Sequence, residues 1–397
     1  MQRAATREPD GFHGTAPTTL PRITLDFLFK LGNNTGEETL MKYRILIINP
    51  GSTSTKYAVY DGKNEKIINT IRHDHKDLDK FQTIGDQFDL RSNLIEKGLT
   101  DSGIPISSLD CVIGRGGLLK SIPGGVWQVN KAMITDLKEA KRGEHASNLG
   151  GIIAYSIAEK AGIPSYIADP VVVDEMNEIA RISGHPELER LSIFHALNQK
   201  ATARRAAEEL NKSYEDCNFI VAHMGGGVSV GAHQKGRVVD VNNALNGDGP
   251  FSPERSGSLP AGQLVQMCFS ENYSKKEILK KLKGNGGLNA YLGTADGTEI
   301  EKMINSGDKK AELIYNAMAY QIAKEIGSLG AALSGQIDGI ILTGGLAYSN
   351  ILIERISGYI KSIGRIFVYP GENEIEALRD AAIRVLDKKE IPGEYKN

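Results

Sequence analysis

Residues Arg44 to Gly62 read RILIINPGSTSTKYAVYDG, and residues Asn218 to Val241 read NFIVAHMGGGVSVGAHQKGRVVDV. Each stretch opens with an apolar run, passes through a turn of small residues, resumes an extended pattern and turns again at a glycine. In the first, Arg44–Asn49 predicts a buried strand, Thr55–Tyr60 its partner, and Asp61-Gly62 the tight turn into a third strand, Glu65–Ile71. In the second, strands are predicted at Asn218–His223, Val228–Ala232 and Arg237–Val241, joined by the turns Gly225–Gly227 and Lys235-Gly236. An antiparallel meander thus occurs twice, with Asn49 and His223 at equivalent ends. The duplication is one of pattern, not of identity, and predicts two similarly folded domains facing each other.

Around the meanders, helical and extended patterns alternate, the mark of an α/β architecture. Helices are predicted at Ile134–Arg142, Gly150–Ala161, Phe194–Leu210, Ser274–Leu282, Glu299–Ile304 and Ala311–Leu333. In the last of these, apolar residues from Leu313 to Leu333 recur every three or four positions. Ser165–Asp169, Val171–Val173, Asp338–Leu342 and Arg365–Val368 are predicted strand material, and Glu374–Leu386 a closing helix. Residues 1–40 carry no sustained period and precede Met41, so they are expected to be an appended or mis-assigned start. The expected domains are 41–192 and 193–373, with the terminal segment 374–397 packing back on the first.

The composition sets the class of partner. Of 397 residues, 40% are apolar and 24% charged, and the formal charge of −2 gives no electrostatic case for nucleic acid or an anionic membrane. Any anionic ligand has to be met by a local site. Cys111, Cys217 and Cys268 have neither metal-ligand spacing nor a redox pairing, which fits buried thiols in a reducing cytoplasm. No apolar run approaches the roughly 18 to 20 residues of a membrane span. The 44 glycines cluster in short turns, where they permit tight bends and close backbone approach.

Three of those turns follow apolar strands: NPGSTST after Ile48, HMGGGVS after Ala222 and TGGLAYSN after Leu342. Each places small residues and free backbone N–H groups at a strand end, which is what cradling phosphate oxygens requires. A Walker-type lysine loop and a strand-then-helix G-x-G-x-x-G are both absent. Taken singly, each turn reads as simple hairpin geometry; three on paired domains read equally as hairpin turns and as a phosphate cradle.

NPGSTSTK with GRGG (114–117), RGEH (142–145), ADP (168–170), FHALNQKA (194–201), HMGGGVSVGA (223–232), ERSGSLP (254–260), TGG (343–345) and PGENE (370–374) resembles the acetate and butyrate kinases. These form the acetokinase branch of the fold family shared by sugar kinases, heat-shock chaperones and actin. The motifs run in the family's order from about Lys42 to the C-terminus. INPGSTSTK, GRGGLLKSIPGG, AHMGGGVSVGAH and YPGENEIEAL look closer to butyrate kinase than to acetate kinase. The resemblance implies two actin-like (ribonuclease H-like) domains with a nucleotide cleft between them, and a cytoplasmic enzyme that is at least a dimer. It implies reversible ATP-dependent formation of an acyl phosphate, with butanoate as acceptor, not separable from isobutanoate or pentanoate, and with an acetate, propanoate or branched-chain fatty acid kinase as the alternative.

It also implies roles, residue by residue. Arg115 and Arg255 match the family's active-site arginines, whose guanidinium forks suit a carboxylate or phosphoryl oxygens. His195 matches the histidine that donates to the phosphoryl group; His145 and His223 match two others lining the cleft. Each histidine reads otherwise as a satisfied structural residue, and His13, His73, His75, His185 and His233 are expected in surface or loop positions. Asp169 and Glu374 resemble the acidic pair for Mg²⁺, with Asn49 near the same cation. Glu372 and Glu376 are close enough to compete with Glu374 for that position.

Ser52, Ser54, His223, Gly225, Gly226 and Gly227 are expected at the phosphates of ATP, and Thr343, Gly344 and Gly345 under the adenosine. Asp296 matches a position beside the adenine and reads equally as a turn former. Gly226 and Ser349 replace asparagines of the acetate kinases. Gly116 and Gly117 follow Arg115 where acetate kinases carry bulkier aliphatics, so with His145 and Phe194 they are expected to leave room for a longer acyl chain. Each buried methylene stabilises by roughly 0.8 kcal/mol. Lys56 has two readings, a local salt bridge or a phosphate contact. A non-kinase ATPase of the same fold would account for the glycine turns and the duplication. It would not account for Arg115, Arg255 and His195 in their motifs.

Overall fold

The run RILII is buried on both faces of a sheet in the computed structural model, which describes residues 43–396. Ile45 and Ile47 face one side and Leu46 and Ile48 the other, all fully buried, as the two-residue period of a strand dictates. This strand, β1 (Arg44–Pro50), pairs antiparallel with β2 (Ser54–Asp61), and β2 with β3 (Asn64–Arg72). On its other side β1 runs parallel to β4 (Cys111–Arg115). β4 in turn is parallel to β6 (Ser165–Ala168), which pairs antiparallel with β5 (Val126–Gln128).

The second sheet repeats the core of this order. β7 (Asn218–Met224), β8 (Val228–Gln234) and β9 (Arg237–Val241) form an antiparallel meander. β10 (Gly339–Gly344) is parallel to β7, and β11 (Ile366–Pro370) is parallel to β10. The orders β3-β2-β1-β4-β6 and β9-β8-β7-β10-β11 are therefore equivalent in position and sense. The first sheet alone goes further, through β5 to β12 (Gly393–Glu394). Asn49 and His223 are each the penultimate residue of the first strand of their sheet.

Helices cover both faces. Leu46, Ile48 and Val112 pack with Ile95 and Leu99 of the helix Phe88–Asp101 and with Ile153 and Ile157 of the helix Asn148–Ala161. Ile45, Ile47 and Ile113 pack with Leu378, Ala381 and Ala382 of the helix Glu374–Leu386. In the second sheet, Ile220, Ile340 and Leu342 meet the 24-residue helix Lys309–Ala332. Phe219, Val221 and Ile341 meet Ala203, Ala206 and Ala207 of the helix Ala196–Glu209.

One contact sets the position of an arginine. A Cβ on Gly114 would lie 2.2 Å from the Gly150 carbonyl oxygen, and one on Gly150 2.3 Å from that of Arg115. Two glycines therefore let the helix Asn148–Ala161 sit directly on the end of β4.

Several expectations are corrected. Val171–Val173 forms no strand beyond an isolated bridge of Val173 with Ile122. His73 and His233 are buried rather than at the surface, and Cys268 is exposed while Cys111 and Cys217 are buried. β4 and the helices Phe88–Asp101, Ala261–Cys268 and Asn350–Ile360 were not read from the sequence pattern. Residues 1–40 lie outside the described residues. Among the described residues, no helix is long and apolar enough to cross a membrane.

Candidate active site

The ends of β1, β4 and β6 place Asn49, Arg115 and Asp169 along one edge of the first sheet. The first turn of the helix Glu374–Leu386 adds Glu374. Arg115 holds Glu374 with both ends of its fork, Nη1 to Oε2 at 3.1 Å and Nη2 to Oε1 at 2.9 Å. Asn49 Nδ2 donates to the same Oε2 at 2.7 Å. Of the three neighbouring glutamates, Glu374 is the one that lines the cleft.

Asp169 is buried and held in the left-handed region, at φ 38°, just before Pro170. Strain of this kind persists only where the surroundings fix it. Here Gly125 N–H donates to Oδ1 at 2.6 Å, the Gly125 carbonyl accepts from Asp169 N–H at 3.0 Å, and Arg204 lies 3.7 Å from Oδ2.

Between the sheets, the rings of His195 and His223 stack at 3.8 Å with an interplanar angle of 12°. Burial pushes both well below the usual imidazole range, His223 to about 3, and Arg115 and Arg255 add to the effect. Both rings are therefore neutral near pH 7, and their tautomers follow from their partners. Asn198 Nδ2 donates to the Glu372 carbonyl at 2.8 Å, which turns Asn198 Oδ1 toward His223 Nδ1 at 2.7 Å. His223 thus carries its proton on Nδ1.

His195 has the opposite tautomer. Gln199 Nε2 donates to the Ser229 carbonyl at 3.0 Å and to Ser229 Oγ at 2.9 Å. The Ser229 hydroxyl, already accepting, gives its own proton to His195 Nδ1 at 2.8 Å. Nε2–H of His195 is left as a donor. The chain continues behind Gln199, whose Oε1 accepts from His233 Nε2 at 3.0 Å, and Tyr214 O–H donates to His233 Nδ1 at 2.7 Å.

Arg255 approaches from the second sheet's side and lines the same cleft as Arg115. Its Nη1 donates to the Ala244 carbonyl. The guanidinium lies over Gly227, where an added Cβ would fall 2.0 Å from Nη1. Gly227 thus seats Arg255, whereas Gly226 and Gly345 are exposed. Gly344 has φ 90° and would place a Cβ 2.4 Å from the Met224 carbonyl oxygen, so it joins the ends of β10 and β7. Thr343 is buried with its hydroxyl on the Gly371 carbonyl at 3.3 Å. Gly225 N–H closes the turn on the Gly227 carbonyl at 3.0 Å.

The cleft, of about 460 Å³, is lined by Ser52, Arg115, Gly116, His145, Asp169, Phe194, His195, Arg255 and Glu374 among the expected residues. Other expected residues do not line it. Ser54 turns its hydroxyl back toward Gly51. Asp296 is exposed and caps the helix Gly297–Asn305, accepting from Thr298 N–H at 2.8 Å, while Gly297 lies against Leu346 of the last glycine turn. Lys56 stands opposite Asn49 in the β1–β2 ladder and has no ion pair among the described residues. Of the lining residues, His145 stays at the exposed rim, with Nδ1 on Ser147 Oγ at 2.8 Å.

The room expected beside Gly116 and Gly117 is taken. A Cβ on Gly116 would fall 2.6 Å from Pro170 Cβ, and one on Gly117 2.4 Å from Asn148 Oδ1. These glycines admit neighbouring parts of the chain. The apolar wall is instead Leu118, Val171, Ile193, Phe194 and Leu245. Sequence reading also missed Glu144 and Lys283 at the cleft, and the orienting partners Asn198, Gln199 and Ser229. Asn198 and Gln199 were within reach, three and four residues after His195 and so on its side of the helix.

Residues 189–367 match the model of the acetokinase family. The fold is similar to that of the Porphyromonas gingivalis acetate kinase, with TM-score 0.67 at 20% identity over 87% of this chain and 100% of that one. The Entamoeba histolytica acetate kinase gives 0.70 at 16% identity over 87% and 100%. A propionate kinase from Francisella tularensis gives 0.64 at 18% identity over 85% and 99%. At these identities the likeness is one of fold: mixed α/β, with two sheets of actin-like order.

Proposed function

We infer that the chain belongs to the acetokinase family and moves the γ-phosphoryl group of ATP, reversibly, onto the carboxylate of a short-chain fatty acid. The observation that carries this reading is the convergence of Arg115, from the first sheet, and Arg255, from the second sheet's side, on one cleft that is also lined by His195, on whose neutral ring His223 stacks from behind. A carboxylate oxygen attacks the γ-phosphorus in line, the bond to the bridging oxygen breaks, and ADP leaves with the electron pair. Such transfer needs positioning and charge stabilisation, and no protein nucleophile. The Arg115 fork, which holds the Glu374 carboxylate in this structure, suits the incoming carboxylate once Glu374 turns to a cation; Arg255 suits the equatorial phosphoryl oxygens, and Nε2–H of His195 donates without adding a titrating proton.

Asp169, Glu374 and the amide oxygen of Asn49 are hard oxygen donors at the ends of neighbouring elements of the first sheet, and they would hold a Mg²⁺ ion once Glu374 exchanges its bonds to Arg115 and Asn49 for the cation. Among the described residues, no three His, Cys, Asp or Glu side chains form a metal cage. Mg²⁺ ordinarily takes one or two carboxylates and completes its shell with water and phosphate oxygens. Bound with ATP, Mg²⁺ would supply neutralisation of the phosphate charge.

The acid is better supported as acetate or propanoate than as butanoate. Pro170 and Asn148 fill the volume expected to hold extra methylenes, and the similar structures are acetate and propionate kinases. Butanoate, suggested by the motifs, rests on the apolar wall from Leu118 to Leu245. Trapping acyl phosphate with hydroxylamine, using ATP and acetate, propanoate, butanoate or isobutanoate, tests both levels. Carboxylate-dependent hydroxamate that vanishes on chelating Mg²⁺ is expected. ATP hydrolysis indifferent to any acid would sink the kinase reading, and the ratios of kcat/KM rank the acids.

A further inference from the structure

Beneath the first glycine-containing turn lies a fully buried arginine, Arg91, on the helix Phe88–Asp101. No carboxylate pairs with it among the described residues. Gln87 Oε1 takes Nε at 3.1 Å and Nη2 at 2.8 Å. Every other bond goes to the stretch Gly51–Thr55. Nη1 donates to the carbonyls of Gly51 at 2.8 Å and Ser54 at 2.9 Å and to Thr55 Oγ1 at 3.0 Å, and Nη2 donates to the Ser52 carbonyl at 3.1 Å. The Thr53 carbonyl is taken by His73 N–H at 2.9 Å.

Four successive carbonyls are thus drawn inward, three of them by one guanidinium. The N–H groups of Ser52 and Thr53 are left without a protein acceptor among the described residues, and both side chains are exposed. Ser52 lines the cleft. Successive amides freed in this way form an anion-binding concavity. A buried guanidinium without a counter-charge is costly unless all its hydrogen bonds are made.

We propose that Arg91 is a positioning residue that locks the Gly51–Thr55 turn with its carbonyls inward, so that the Ser52 and Thr53 amides and the Ser52 hydroxyl meet the transferring phosphoryl group. The identity of that anion rests on the kinase reading above. Removing one preorganised donor set of this kind lowers turnover by about 100-fold.

The test uses the full chain with Arg91→Met, Arg91→Ala and Gln87→Ala. Arg91→Met should lower kcat by about 100-fold with the KM for the acid changed less than about twofold, and guanidinium ion should restore Arg91→Ala by about 10-fold or more. Gln87→Ala, which frees two of the N–H groups but keeps the charge, should fall between. Arg91→Met with kcat within about threefold of the unaltered protein overturns the proposal. So does a loss that merely tracks the folded fraction seen by circular dichroism. If Arg91→Met does not fold, Gln87→Ala decides: normal kcat overturns the proposal and a kcat-selective loss supports it. Calorimetric titration with Mg·ATP separates this from the kinase reading. A protein that binds Mg·ATP but phosphorylates no acid contradicts that reading, while equal Mg·ATP affinity in Arg91→Met would then contradict the role of Arg91.

Discussion

Gly227 and Arg255 occupy each other's space, since the guanidinium lies where a side chain on Gly227 would be. Arg255→Ala is expected to lower kcat by about 10³-fold, the scale of an arginine that stabilises a transferring phosphoryl group. Gly227→Ala should reproduce part of that loss without touching Arg255, because displacement of a catalytic group by about 1 Å costs on the order of 100-fold. Steady-state kinetics on both variants, with circular dichroism to confirm folding, check this; a Gly227→Ala enzyme with normal kcat would uncouple the pair. Ser229 acts on His195 in another way. Its hydroxyl is what gives His195 its Nε2–H tautomer, so Ser229→Ala should reduce kcat by about 10- to 100-fold, as loss of a histidine's orienting partner does elsewhere. The ¹⁵N shifts of His195 should show Nδ1 gaining proton occupancy in that variant. Unchanged shifts with unchanged kcat would remove Ser229 from the machinery.

At the scale of elements, the Gly114–Gly150 contact decides where Arg115 ends up. Gly150→Ala forces the helix Asn148–Ala161 off β4, and overpacking of this kind costs about 1–3 kcal/mol. Urea unfolding should show the loss of stability, and kcat should fall with it because Arg115 moves; a variant as stable as the parent would mean the helix shifts freely. The same region shows what the sequence could and could not disclose. β1 and β7 were legible because strands buried on both faces need unbroken apolar runs, and RILII and FIVA are such runs. The helix Phe88–Asp101 was not, since its buried face mixes Ile95 and Leu99 with Arg91 and Ser92 and so lacks a clean apolar stripe. β4 has five residues, two of them Gly114 and Arg115, too few to show a period. Among site residues, Arg115, Arg255 and His195 could be placed by their motifs. What fills the space beside a glycine could not: Gly117 meets Asn148, 31 positions away along the chain, and nothing local announces it. The same holds for His233, whose burial follows from Tyr214 and Gln199 on other elements.

The two sheets of the whole molecule meet around buried, neutral imidazoles, and this gives its stability a pH dependence of definite sign. His223 keeps a folded-state pKa of about 3 because burial, then Arg115 and Arg255, oppose its cation. An unfolded chain protonates the same ring near 6.5. Above that value neither state takes the proton, and stability does not depend on this ring. Below it the unfolded state binds a proton that the folded state refuses, so stability falls as the pH falls, at up to about 1.4 kcal/mol per pH unit until the folded value is approached. His195 and His233, also held low by burial, act in the same direction. A second tie between the sheets is the buried pair Lys200–Glu175, at 3.0 Å, which anchors Gly236 and Val238 to the segment carrying Gly124. The urea midpoint should therefore be level from about pH 8 to about pH 7 and then drop steadily toward about pH 5. His223→Asn, which lacks a titrating ring, should reduce the slope by roughly one histidine's share. Turnover limited by phosphoryl transfer should show no limb near pH 6.5 while the protein stays folded, because His195 donates as a neutral group throughout that range. A midpoint that rises on acidification, or a kcat limb at the ordinary imidazole value, would show that these rings carry charge in the folded protein and are not the neutral donors proposed for the reaction.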